Sequence, residues 1–159
     1  MTRVTKTGPF QEALPFRQAL PWLSLITGVF FLNFLARTIF SPLMLSIEAD
    51  LGISHTTAGR FYLDIALGYA AMLLASGFVS HKLSHRTCIT LMPLLMGLFL
   101  LGLALSRSLF LVEAMFFLVG VAGGLYLPSG IAAISSLVTP KRLGMALSIH
   151  ELAPNLAFI

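Results

Sequence analysis

The sequence predicts an all-α fold, a polytopic bundle of membrane-spanning helices. Three observations carry that prediction. Hydrophobic residues make up 57% of the chain and charged residues only 10%, whereas a soluble domain carries about one quarter charged residues. Apolar runs of about 18 residues or more recur along the chain, long enough to cross a hydrocarbon core of about 30 Å at 1.5 Å per residue. The basic residues cluster in the short segments between these runs, as expected of loops at a membrane surface.

Residues 1–20 read as a cytoplasmic amino-terminal tail and residues 21–159 as the transmembrane bundle. The first span, about 22–47, follows Arg3, Lys6 and Arg17. It is far longer than the 7 to 15 apolar residues of a signal-peptide core, so it reads as an uncleaved span. The second span, about 58–80, is interrupted beyond Phe61 only by Asp64, and the third, about 87–106, carries no charge. The fourth, about 110–137, holds Glu113. A fifth begins after Lys141 and Arg142 and covers 143–159, about 25 Å of helix, which is incomplete as a crossing. The linkers are short, so consecutive spans are expected to be antiparallel neighbours in one bundle.

Placing the amino terminus inside puts Arg3, Lys6, Arg17, Lys82, Arg86, Lys141 and Arg142 on the cytoplasmic side, leaving only Arg60 and Arg107 outside. The formal charge of +4 therefore marks topology. No basic stripe interleaved with aromatics exists, which excludes a nucleic-acid partner and leaves the lipid bilayer as the surrounding one. The single cysteine, Cys88, excludes an intrachain disulfide and offers no metal-ligand spacing.

Gly120, Gly123 and Gly124 in "GVAGGLYLPSG" are small residues of the kind that let helices approach closely in lipid. A dinucleotide-binding loop would need a strand before these glycines, which this run cannot form. Pro93 and Pro128 are expected to bend their spans. His150 and Glu151 are adjacent acid-base groups, but no nucleophile or metal motif accompanies them, so neither an enzyme nor a cofactor is expected.

Ionisable groups inside a bilayer are expected to face a bundle interior or a watery cavity. Arg37, Asp64 and Glu113 occupy spans one, two and four, His150 and Glu151 the fifth, and the third has none. Spans one, two, four and five are therefore expected to line a polar cavity while the third packs outside. Arg37 lies about 15 Å and Asp64 about 11 Å below the outer surface, depths close enough for an ion pair. Alternatively Arg37 offers its planar fork of donors to a carboxylate or phosphate, or it snorkels to the interface. Asn33 shares its face at i,i+4 spacing and would add an amide; Glu151 and Asn155 share a face in the same way. Glu151 and His150 are candidates for taking up a proton, and Glu113 is expected to reach interfacial water.

Across residues 20–159 the motifs "RTIFSPLM", "EADLGIS", "AGRFYLDIALGYA", "GFVSHKLSHR", "GVAGGLYLP" and "PKRLGMA" resemble the major facilitator superfamily of secondary transporters. The resemblance implies a transporter of a small-molecule substrate working by alternating access, of which this chain looks like the first four helices and part of a fifth. The partner would be the remainder of the transporter beyond Ile159. In that family the first, second, fourth and fifth helices line the cavity and the third is peripheral. Branches that carry organic anions or phosphate esters have an arginine similar in place to Arg37, which implies a small organic anion. The family's gating loop looks like G-x-x-x-D-R-x-G-R-R/K; Gly77, Lys82, His85 and Arg86 keep their places, while His81 replaces the aspartate and Ser84 the glycine. Phe116 stands where drug antiporters carry an arginine. The alternatives are a non-transporting membrane fragment or subunit, and a transporter of a neutral solute or drug in which Arg37 pairs with Asp64.

Overall fold

The computed structural model of the chain describes residues 14–159; residues 1–13, with Arg3 and Lys6 of the expected tail, lie outside them. The described residues form α-helices and connecting turns with no strand. Their order is α1 (Phe16–Thr38), α2 (Phe40–Leu51), α3 (His55–Lys82), α4 (His85–Leu105), α5 (Leu109–Leu137), α6 (Pro140–His150) and α7 (Leu152–Ala157). Four stretches are long and apolar enough to cross a membrane: α1 with α2, then α3, α4 and α5.

The expected first span is longer than 22–47 and is broken. It starts at Phe16, directly after Pro15, and is interrupted at Ile39. Pro42 accounts for the break: it has no N–H to give the Thr38 carbonyl, and its ring crowds the carbonyl four residues back. The expected fifth span is divided in the same way. Pro154 stands four residues after His150, α6 ends at His150, and α7 starts at Leu152. Pro93 and Pro128 lie inside α4 and α5, which remain single helices.

The other ends follow local chemistry. The side chains of Ser54, Ser84 and Ser108 each accept a hydrogen bond from the backbone N–H three residues on, at 3.2, 3.1 and 3.3 Å, and so cap α3, α4 and α5. At Gly52, φ of +62° closes α2, a left-handed conformation that glycine adopts without Cβ strain. Pro140 opens α6 at a position where its missing N–H costs nothing.

The stretch expected as a gating loop is mostly helix. Gly77, His81 and Lys82 belong to the last turns of α3, and Arg86 to the first turn of α4. Apolar Phe78 and Val79 carry α3 onward, and the Ser84 cap starts the next helix almost at once. Ser84, where the family pattern has glycine, thus has a local role.

α5 is the centre of the bundle, with half of its apolar window buried, against about a fifth or less in the other spans. The contact between α3 and α5 is a backbone contact. A Cβ on Gly120 would collide with the Ile65 carbonyl, and one on Gly68 with the Phe117 carbonyl, so neither position can carry a side chain without moving a helix. Gly124 sits the same way against Tyr69, whose carbonyl oxygen would lie 2.7 Å from an added Cβ. The glycine packing surface is borne out at Gly120 and Gly124, and Gly68 is its partner on α3. α4 buries Cys88, Met92 and Met96 against the bundle and turns Leu94, Leu98, Leu101 and Leu105 outward.

Candidate functional site

Arg37 occupies the last turn of α1, one residue before the helix ends. Its Nε donates to the Asn33 carbonyl at 3.3 Å. The guanidinium lies 4.4 Å from the centroid of Phe34 and 4.9 Å from that of Tyr69 on α3, distances at which a ring quadrupole attracts a cation. Its Nη2 is buried and has no hydrogen-bond partner.

Asn33, one turn earlier, is buried, and its Nδ2 donates to the Gly123 carbonyl at 3.0 Å. This bond joins α1 to α5. Asn33 Oδ1 has no partner. It would lie 3.2 Å from a Cβ built on Gly123, and Arg37 Nε 3.5 Å from the same point. Gly123 is therefore the place where two polar side chains of α1 meet the central helix. An unaccepted donor and an unpaired acceptor stand on the same face, as the i,i+4 spacing predicts.

Asp64 does not join them. No ion pair between Arg37 and Asp64 exists among the described residues, and Asp64 Oδ2 is itself buried without a partner. Asp64 lies one turn from Arg60 on α3, and Arg60 Nη2 instead reaches Glu113 Oε1 at 3.5 Å. Glu113 is thus paired across the α3–α5 seam, in addition to being partly exposed.

Beside Arg37 is a cavity of about 630 Å³ lined by Phe34, Arg37, Thr38, Tyr62, Ile65 and Phe158 among others. Helix α7 closes one side. Thr38 Oγ1 lies 3.2 Å from the Ala157 carbonyl, and the Phe34 and Phe158 rings meet edge-on at 6.4 Å. The two broken helices therefore meet at the cavity wall. Unsatisfied backbone at membrane depth is tolerated only where protein or a cavity covers it.

His150 is fully buried, stacked on Phe30 at 4.1 Å and hydrogen-bonded through Nε2 to the Tyr126 hydroxyl at 3.0 Å. Its Nδ1 lies 3.3 Å from Glu151 Oε1. Asn155 stays apart from Arg37: it is exposed, and its Nδ2 donates to the Glu151 carbonyl at 2.9 Å. His81, Lys82 and Arg86 are exposed at the α3–α4 turn and take part in no ion pair among the described residues. A Cβ on Gly77 would meet nothing within 4 Å, so close packing does not account for that glycine.

Reading the sequence missed Phe30, Tyr69 and Tyr126, the rings that hold Arg37 and His150. Tyr126 carried a usable signal, a hydroxyl at mid-span that must find a partner when buried.

Discontinuous helices meeting beside a half-buried, unpaired cation are features of a membrane transporter, and that is the class this fold and site define. The family model of the Major Facilitator Superfamily matches residues 26–159, and the chain belongs to that family. No curated protein and no solved structure matches it.

Proposed function

We propose that this chain forms the amino-terminal part of a secondary transporter for a small organic anion, with Arg37 contacting the anion's carboxylate or phosphate. The observation that carries the reading is the Arg37 guanidinium: half-buried with Nη2 fully buried, held between two rings, without a carboxylate partner and beside a cavity. An ionised fork with a free donor costs several kcal/mol inside a bilayer unless something accepts its hydrogen bonds. A carboxylate or phosphate does so bidentately. Asn33 Oδ1 then supplies an acceptor for a hydroxyl or amine on the same substrate. Alternating access would move the helices around the cavity while the α3–α5 seam stays together. The proposed orientation places Arg17, Lys82, Arg86, Lys141 and Arg142 in the cytoplasm, with Arg60 and Arg107 on the opposite face.

The test is uptake of labelled carboxylates and organic phosphates into proteoliposomes holding the complete transporter. Arg37→Lys keeps the charge and loses the fork, so KM for the transported anion should rise about tenfold or more with insertion unchanged. An unchanged KM overturns the contact. So does full anion transport by Arg37→Ala combined with Asp64→Asn, since that pair of changes removes the guanidinium altogether.

A further inference from the structure

The ring of His150 is fully buried, yet both of its nitrogens face polar atoms. Counting protons assigns their roles. The Tyr126 hydroxyl lies 2.7 Å from the Ile26 carbonyl as well as 3.0 Å from His150 Nε2. A carbonyl has no proton to give, so the contact with Ile26 takes the only proton the phenol has. Toward His150 the phenol oxygen can then only accept, and Nε2 must carry a hydrogen. A neutral imidazole has a single N–H, which leaves Nδ1 bare. A bare Nδ1 at 3.3 Å from an ionised Glu151 sets lone pair against lone pair. One more proton resolves the conflict, whether it resides on nitrogen or on oxygen, because the two arrangements are one protonation state of the pair.

We infer that His150 and Glu151 together form a proton-binding site that holds one labile proton at the break between α6 and α7. The site stands on this geometry; its use in coupling rests on the transport reading above. The proton exchanges with water through Glu151, whose side chain is 57% exposed, against 0% for His150. From α1 the site is faced by Phe30 and the Ile26 carbonyl, and from α5 by Tyr126. From α3, Tyr69 makes no hydrogen bond to either residue among the described residues. Arg37 stacks on Tyr69 and makes no ion pair with Glu151 among the described residues. From α7, Asn155 donates to the backbone carbonyl of Glu151, leaving its carboxylate to His150. Among the described residues no lysine or arginine therefore pairs with the carboxylate. The location gives the proton leverage: Pro154 denies the His150 carbonyl its helical hydrogen bond, so ring contacts from α1 and α5 hold the junction. Losing the proton sets Glu151 against Nδ1 and loosens that junction.

The experiment uses the full chain in lipid nanodiscs with the exposed His55, His81 and His85 replaced by Gln, leaving His150 as the single histidine, labelled with ¹⁵N and read by NMR from about pH 5 to pH 8. Nε2 should remain protonated throughout, and Nδ1 should pass in one step from carrying or accepting the shared proton to bare. In Glu151→Gln that step should move by about one pH unit or more, a tenfold change in proton affinity. Tyr126→Phe should lose the fixed Nε2–H tautomer. A neutral form with bare Nε2 overturns the assignment, as does an Nδ1 resonance that does not respond to pH anywhere in the range, or a step unmoved in Glu151→Gln. The wild-type tautomer is decisive even if a variant fails to fold. Absence of anion uptake by the complete transporter would sink the transport reading and leave this result standing.

Discussion

The α3–α5 seam and the α1–α7 contact both border the same site and are built on opposite principles. Along α3 and α5 the helices are uninterrupted, and Gly68 and Gly120 bring backbone against backbone. Between α1 and α7 both paths are broken by a nearby proline, and side chains bridge the gap: Thr38 to the Ala157 carbonyl, Phe34 to Phe158. Close backbone packing has one geometry and nothing to rearrange. Contacts made by a single hydroxyl are exchangeable: Thr38 Oγ1 is within reach of the Phe34, Leu35 and Ala157 carbonyls, at 3.0, 3.4 and 3.2 Å, with one proton among them. The seam is suited to be the fixed side of the cavity, and the broken helices are suited to be the side that moves.

The largest effect should come from breaking the seam. Gly120→Val forces a side chain into the Ile65 carbonyl, and overpacking of backbone against backbone should cost about 3 kcal/mol or more. Gly97→Ala, where an added Cβ meets nothing within 4 Å, is the control. Limited proteolysis of the two variants in nanodiscs compares them, and equal resistance would mean that the seam is not the rigid element. A smaller effect should follow from mending a break. Pro154→Ala restores an N–H aimed at the His150 carbonyl and should stabilise the junction by about 1 kcal/mol, less than the roughly 3 kcal/mol of a helix-interior proline, because straightening draws Ala157 away from Thr38. Slow hydrogen exchange at the backbone amide that this substitution introduces would show the mended bond, and fast exchange would show that the break has another cause. The smallest effect belongs to Arg60→Ala. The Arg60–Glu113 pair crosses the seam, but its arginine side chain is 63% exposed, so removing it should cost less than about 1 kcal/mol in thermal unfolding. A larger loss would move part of the seam's strength from glycine packing to charge.

Much of this division was legible in the sequence, and what escaped has physical reasons. Charge spacing along each run located the spans. Residue spacing put Asn33 and Arg37 on one face. The break at Ile39 was hidden by hydropathy, because Phe40 to Ile47 is apolar like what precedes it, and the one at Glu151 because a mostly apolar stretch, Leu152 to Ile159, follows it; the signal lay in Pro42 and Pro154. The same residue type at 93 and 128 leaves α4 and α5 whole, so a proline alone does not decide. In the gating stretch a cluster of charge reads as a loop, yet α3 runs on through Lys82. Gly68, Phe30, Tyr69 and Tyr126 could not be ranked from the sequence, since their importance depends on which helix lies opposite. The Arg37–Asp64 pair was allowed by depth and is absent among the described residues, because depth says nothing about rotation of a helix about its axis.

The serines that begin α3, α4 and α5 bear on how such a chain enters a bilayer. A span whose first backbone donors are satisfied by its own side chain carries less unmet hydrogen bonding into the hydrocarbon, and so can leave the translocation machinery before its neighbours have been synthesised. α6 has no such cap, as Thr139 makes no side-chain bond, and α7 begins where His150 lacks its helical partner. Among the described residues these helices meet side chains that precede them in the chain, such as Ile134 and Tyr126 on α5 and Leu23 and Phe30 on α1. Synthesis from the amino end thus delivers the self-capped α3, α4 and α5 before α6 and α7, whose docking surface on α1 and α5 by then exists.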